Sequence, residues 1–329
     1  MRKLTGSVVA ALALGLSGPD AVFGSGYSIY EQGAKAMANA GAFTARADDP
    51  SALFFNPAGI VQLDGIRVNV GTNVIFLTGS RFESTSGPSS GQSFSQLDNT
   101  AWPSSLYYTQ KLNDRWAWGF GFTSPFGLKT QWDNAFPGRY ISREANLAVV
   151  NLNPNLACKI GKAWSVAVGL DLARADIREL SRNIDFSGIG APDGFTKLTG
   201  DGNDVGWNIA GRWANDRGWR WGGSFRSKMK PEIKGDITFE NIPGLFPPGT
   251  FPDGGATADI PLPATLATGL GYERGKWEGE FDVVWTDWSE FDHLRIDIEN
   301  NTILVADVDQ LEAWKDTYSF RLGYAYHVN

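Results

Sequence analysis

From Ile66 to the final residues the chain alternates with a period of two, and over so long a stretch only a β-sheet accommodates that pattern. Trp116, Trp118, Phe120 and Phe122 share one strand face, with Ala117, Gly119 and Gly121 on the other. Trp164, Val166, Val168, Leu170 and Leu172 alternate with Ser165, Ala167, Gly169, Asp171 and Ala173. Val205, Trp207, Ile209 and Trp213 oppose Asn208, Ala210 and Arg212, and Trp219, Trp221 and Phe225 oppose Arg220, Ser224 and Arg226. Trp277, Phe281, Val283 and Trp285 stand against Glu278, Glu280 and Asp282, as Tyr318, Phe320, Leu322, Tyr324 and Tyr326 stand against Ser319, Arg321, Gly323 and Ala325. A soluble sandwich would crowd these aromatics into a narrow core. Trp and Tyr recurring near strand ends suit an interfacial girdle instead. The expected fold is all-β, a transmembrane antiparallel β-barrel.

Composition agrees. The chain has 13 Trp, 20 Phe and 39 Gly, yet no later stretch approaches the roughly 20 apolar residues of a membrane helix. A net charge of −7 argues against nucleic acid as a partner. The single cysteine, Cys158, cannot form an internal disulfide, so stability is expected from barrel closure, with Cys158 a small apolar residue facing lipid. His293 and His327 are the only histidines, and neither has a Ser-rich motif around it. With no G-x-S-x-G, metal-ligand cluster or phosphate loop, neither an enzyme nor a cofactor is expected.

At the N-terminus, Arg2 and Lys3 precede the apolar run Val8 to Leu16, Pro19-Asp20 interrupts it, and Val22 and Gly24 are small. Residues 1–24 therefore read as a cleavable signal peptide, with the mature chain starting near Ser25. Residues 25–65 read as a short helical unit. A helix over Tyr30 to Asn39 is stopped by Gly41, Asp48 or Asp49 caps a helix begun by Pro50, and Asn56 caps another begun by Pro57. So few residues cannot bury a core of their own, and the inside of a barrel is the obvious place for them.

Residues 66–329 divide into ten expected strands: 66–79, 101–112, 115–123, 143–160, 163–182, 203–215, 218–240, 262–274, 276–299 and 312–328. Short turns such as Asn113-Asp114 and Gly161-Lys162 alternate with longer loops, as periplasmic turns and external loops should.

The stretch after Ser25 carries Glu31-Gln32, the small residues Ala34, Ala36, Ala38 and Ala40, Asp48-Asp49, and Asn56-Pro57-Ala58-Gly59. Further on come Pro125-Phe126-Gly127-Leu128, Asn153-Pro154, Leu262-Pro263-Ala264, Trp285-Thr286-Asp287-Trp288-Ser289 and Trp314-Lys315-Asp316-Thr317. In this order the chain resembles the FadL family, the outer-membrane transporters of long-chain fatty acids and other hydrophobic compounds. The resemblance implies a Gram-negative outer membrane, a fourteen-stranded barrel and an N-terminal hatch in its lumen. It also implies passive uptake, with lateral release into the bilayer at an inward kink of the third strand. No energy-coupling motif is present. The expected partners are a hydrophobic small molecule and outer-membrane lipid, with the protein a monomer. The alternating pattern stops at His327-Val328-Asn329, after the tenth strand. Either about four strands are missing, which is the reading preferred here, or strand ten closes on strand one in a smaller barrel.

The hatch and gate candidates carried over from the family motif are Asp48, Asp49, Asn56, Pro57, Ala58 and Gly59, whose plainer role is capping and turn formation. Ser124, Pro125, Phe126 and Gly127 are the kink candidates, since proline lacks the ladder donor and glycine weakens a strand; an ordinary strand-to-loop turn is the alternative. Phe186, Ile189, Phe195, Ile242, Leu245, Phe246 and Phe251 in the long loops form a ligand groove or pack on one another. Arg212, Arg226 and Arg321 either pair with a fatty-acid carboxylate or join lumen networks with Glu278, Glu280 and Asp282. The ligand is expected to be a long-chain fatty acid. An aromatic-hydrocarbon channel of the same family and a general diffusion porin are the alternatives.

Overall fold

The computed structural model describes residues 26–328, so the signal-peptide reading of residues 1–24 lies outside the described residues. β1 (Ile66–Thr72) is followed by four short strands, β2 (Ile75–Leu77), β3 (Arg81–Glu83), β4 (Ser93–Ser95) and β5 (Asn99–Ala101). Next come β6 (Ser104–Lys111), β7 (Trp116–Gln131), β8 (Glu144–Ile160), β9 (Trp164–Ile184), β10 (Gly194–Ala214) and β11 (Trp219–Arg226). The last third holds β12 (Glu232–Glu240), β13 (Gly254–Asp259), β14 (Thr265–Arg274), β15 (Trp277–Thr286), β16 (His293–Ile298), β17 (Val308–Leu311) and β18 (Thr317–Tyr326).

Ten of these form one antiparallel path, β1-β6-β7-β8-β9-β10-β11-β14-β15-β18. They correspond to the ten strands expected from alternation. Several boundaries differ: β1 stops at Thr72, β7 runs on to Gln131 and β10 begins at Gly194, the last two extending through stretches expected as loops, and two expected strands break. The expected 218–240 strand breaks into β11 and β12 around Pro231, and the expected 276–299 strand breaks into β15 and β16. β12 leaves β11 to pair with Phe195–Asp201 of β10, and β13, β16 and β17 extend it into a side sheet. Among the described residues β1 pairs only with β6 and β18 only with β15, so the smaller closed barrel is not formed.

A strand needs about 9–11 residues to cross a bilayer. β9 and β10 run for 21 residues each, so their far halves stand clear of it, where the side sheet joins. The large apolar residues of the wall point outward. Val166, Val168, Leu170, Val205, Trp207, Ile209, Leu270, Phe281, Phe320 and Leu322 are exposed, while Ala167, Ala173, Asn208, Glu280 and Asp282 on the opposite face are buried. A surface that apolar with an interior that polar is the reverse of a water-soluble protein and suits lipid. No helix among the described residues is long and apolar enough to cross a membrane.

The sheet curls around the N-terminal segment. This holds α1 (Ala34–Ala38), α2 (Ala52–Phe55) and the 3-10 turn Pro57–Gln62. Gly41, at a φ of 78°, ends α1 by donating its N–H to the Ala36 carbonyl at 2.8 Å. Close approach of segment to wall needs wall residues without side chains. A Cβ at Gly222 on β11 would run into the Thr44 carbonyl, and one at Gly323 on β18 would lie 2.6 Å from the Asn39 carbonyl oxygen.

Candidate functional site

Two sets of ties hold the N-terminal segment most heavily to the wall. The first is a row of carboxylates on β15. Asp282 accepts the backbone N–H groups of Phe43 and Thr44, both at 2.9 Å, and Glu280 accepts those of Ala45 at 2.7 Å and Arg46 at 3.0 Å. Glu278 pairs with Arg46 at 3.0 Å. Carboxylates at alternate positions of one strand all face the lumen, and their spacing matches successive N–H groups of an irregular chain. From the other side Asn56 locks the same loop. Its Nδ2 donates to Thr44 O at 2.7 Å and Gly211 O at 3.1 Å, and its Oδ1 accepts from Ala58 N at 3.1 Å.

The second tie lies on β7. The register moves from Thr123↔Asn151 to Phe126↔Val149, leaving one extra residue at Ser124-Pro125, a β-bulge. Because β7 continues to Gln131, this is an irregularity within a strand and not a strand-to-loop turn. Tyr27–Ile29 runs beside the bulge: Ile29 N donates to Pro125 O at 2.8 Å and Gly127 N to Tyr27 O at 2.9 Å. Buried Gln32 donates to Ser124 O at 2.8 Å, while its own carbonyl accepts from Tyr107 Oη at 2.6 Å.

The other motif residues take structural places. Asp49 accepts from Ser51 N at 2.8 Å in the turn that precedes α2, Ala58 O accepts from Ser165 Oγ at 2.8 Å, and Gly59 lies against the Ala47 backbone. Pro57 opens the 3-10 turn that Asn56 caps. Asp48 bonds Lys35 at 2.7 Å and Arg46 at 3.1 Å. Burial pushes the Asp48 carboxyl up, but the two cations outweigh it and hold it below the usual carboxylate range.

Above Tyr27 a cavity of about 520 Å³ opens toward the outer end. Its walls include Leu147, Ile177, Leu180, Leu198, Ile237 and Phe239 from the sheet. The excursion between β15 and β18 adds Phe291, Leu294, Ile296, Val305 and Trp314. Rings crowd its floor: Tyr27 lies 4.7 Å from Trp288, 5.8 Å from Phe126 and 5.9 Å from Trp314 between centroids. Burial pushes the Tyr27 hydroxyl up, so it stays protonated and donates to the Pro261 carbonyl.

Among the lining residues the only Lys or Arg is Arg182, and no ion pair or side-chain hydrogen bond engages it among the described residues. Directly across the sheet is Thr196, whose buried Oγ1 has no partner. The lining acids each have a donor: Asp185 accepts from Ser187 N at 2.8 Å, Glu312 from Gln310 at 2.8 Å and Glu144 from Asn146 at 3.4 Å. A free guanidinium and a free hydroxyl in an apolar chamber can take an anionic head group.

Arg182 escapes simple alternation. Odd-numbered residues of β9 face the lumen up to Ile177, but an extra residue near Arg178 shifts the pairing from Gly200↔Ile177 to Leu198↔Leu180. Beyond the bulge Leu180, Arg182 and Ile184 stand opposite Leu198, Thr196 and Gly194 and share their face of the sheet, with Arg182 exposed at the chamber's mouth. The excursion that supplies Phe291 and Trp314 was hidden for a different reason, because these two residues lie in irregular segments on either side of β16 and β17.

The arginines chosen from sequence are occupied elsewhere. Arg212 donates to Ala45 O at 2.8 Å, Arg226 pairs with buried Asp171, and the Arg321 guanidinium lies 3.7 Å from the Tyr30 ring centre. None of the three lines the cavity, and none pairs with Glu278, Glu280 or Asp282, whose partners among the described residues include Arg46, Arg220 and the backbone of residues 43–46. Of the loop candidates only Phe251 lines it. Phe186 and Phe246 pack with Phe251 at 5.8 Å and 5.3 Å, the Phe195 ring lies under Arg143, and Ile189 and Leu245 are exposed. Ile242 is part-buried and does not line it. Aromatic side chains in these loops satisfy one another before they reach a ligand.

At the rim Asp193 ties two loops, accepting from Arg139 at 2.7 Å and from Tyr140 at 3.0 Å. Burial pushes its carboxyl up, and Arg139, Asn183 and Tyr140 outweigh that and hold it below the ordinary 3.8. A lowered folded-state value means that the latch contributes at higher pH and is lost as pH falls through that value. Asp193→Asn is expected to loosen residues 186–193 at neutral pH, as acid below 3.8 would in the parent, read by amide hydrogen exchange of that loop.

An outward apolar girdle, a polar lumen filled by an N-terminal segment and an apolar chamber above it define a transport-type outer-membrane β-barrel. The chain belongs to the outer membrane protein transport protein (OMPP1/FadL/TodX) family, whose profile matches residues 18–329. It is 26% identical over 318 residues to the long-chain fatty acid transport protein of Escherichia coli O6:H1, covering 86% of this chain and 69% of that one. In fold it is similar to a Pseudomonas aeruginosa FadL homologue, with a TM-score of 0.74, 20% identity and coverage of 93% of this chain and 78% of that one. It also resembles the Ralstonia pickettii toluene transporter TbuX, with a TM-score of 0.70, 16% identity and coverage of 89% and 82%.

Proposed function

We propose that this outer-membrane protein takes up long-chain carboxylates, fatty acids above all, by passive diffusion, with residues 25–65 acting as a hatch. The ligand's tail occupies the chamber and its carboxylate meets Arg182 and Thr196. Each buried methylene contributes about 0.8 kcal/mol, enough to hold a long chain without coupled energy. Exit runs sideways at the β7 bulge, where the hatch lends its own backbone to Pro125 and Gly127. The observation that carries this reading is Arg182, the one Lys or Arg among the lining residues of a mostly apolar chamber and engaged by no ion pair among the described residues. The fatty-acid transport named for the Escherichia coli relative supports it.

A neutral aromatic hydrocarbon is the second reading, favoured by the ringed floor around Tyr27 and by the toluene transport named for TbuX. Arg182→Gln decides between them. Losing a hydrogen bond to a charged group, about 1.5–3 kcal/mol, should weaken palmitate binding roughly ten- to a hundredfold and leave hexadecanol unchanged. Equal affinity of the parent for acid and alcohol would exclude the carboxylate reading.

A further inference from the structure

The chamber has a depth, and the strand register measures it. Tyr27 is fixed beside Phe126 and Gly127, Phe126 stands opposite Val149, and Val149 opposite Ala175. The floor is therefore in register with Ala175 on β9, and Arg182 lies seven residues farther along the same strand (182 − 175 = 7). At about 3.3 Å per residue, less one bulged residue, the separation along the strand is about 20 Å. A strand tilt of about 40° reduces the depth to about 15 Å. With carbon–carbon bonds of about 1.5 Å, a zigzag chain of roughly a dozen carbons spans it.

Just above the floor Ile177 and Leu147 face each other across β8 and β9, and both line the chamber. They are the last wall side chains met by a chain end descending from Arg182. Below them the rings of Tyr27, Phe126 and Trp288 are packed edge to face, leaving the tail no deeper place.

We propose that Ile177 and Leu147, backed by Tyr27, form a depth stop that sets chain-length preference, the ligand lying head outward at Arg182 and tail inward. This rests on the carboxylate reading above. Shorter chains leave the floor unfilled and lose contact with every missing methylene; longer ones keep the carboxylate at Arg182 and buckle toward the open mouth, where the extra methylenes lie in water and gain nothing more.

The test measures affinities of purified full-length protein for saturated fatty acids from eight to eighteen carbons and for the matching alcohols. The parent should gain about fourfold per added carbon, then level off at roughly twelve. Ile177→Phe, whose ring reaches about two bonds farther than the native side chain, should move the plateau about two carbons shorter, and Ile177→Ala should move it longer. A plateau at the same length in all three proteins, or none in the parent, overturns the depth stop. An absence of acid-over-alcohol preference in the parent would instead overturn the carboxylate reading, so the two failures are told apart.

Discussion

Asp282→Leu is expected to free the N-terminal segment from the barrel wall. The carboxylate is fully buried and accepts two backbone N–H groups of the segment, from Phe43 and Thr44, each at 2.9 Å. Leucine fills the space but leaves both donors without an acceptor. Each such group costs about 1–3 kcal/mol, so the docked state loses about 2–6 kcal/mol. Asp282→Asn keeps an acceptor oxygen and should restore most of the loss. Trypsin reads the outcome directly, because Lys35 and Arg46 lie within the segment and Arg46 is buried against Glu278 and Asp48 when docked. Cleavage at Arg46 should rise by an order of magnitude or more in the leucine variant. If parent and variant are cut at the same rate, β15 does not hold the segment.

Asn56→Leu should have a comparable effect through the opposite wall. This side chain links Thr44 of the segment to Gly211 of β10 and also caps the turn at Ala58. A side chain of similar size without polar atoms leaves three backbone groups unsatisfied, for a loss of about 3 kcal/mol or more. The consequence for gating is a leak: liposomes carrying the variant should admit small sugars that the parent excludes. Unchanged exclusion would remove Asn56 from the gate. Since Asp282 holds the Thr44 N–H and Asn56 its carbonyl, the two substitutions share one loop. Their combined effect should fall short of the sum, as expected of coupled neighbours.

Much of the barrel could be read from residue order. Alternation of Trp, Val and Leu with Ala, Gly and Asn placed all ten strands of the path, because a period of two is a local property of each strand. The Asn56 cap before Pro57 was equally readable, since capping needs only residues adjacent in sequence. The breaks at Pro231 and after Thr286 were not, because both halves of each expected strand keep their alternation while pairing with different neighbours.

The candidate site was far less legible. Arg212, Arg226 and Arg321 share the lumen face with the acids, as their parity requires, but parity does not say which cation is left unpaired. That depends on where the N-terminal segment lies, and it takes up Arg212 and Arg321 itself. Arg182 stands opposite Thr196 because one extra residue near Arg178 shifts the pairing of β9. The sequence by itself determined the fold class, the strand path and the caps of the N-terminal segment, all set by neighbours within a few positions. Only the tertiary structure decided the chamber, its free cation and its floor, because bulges and long-range packing choose which side chains meet.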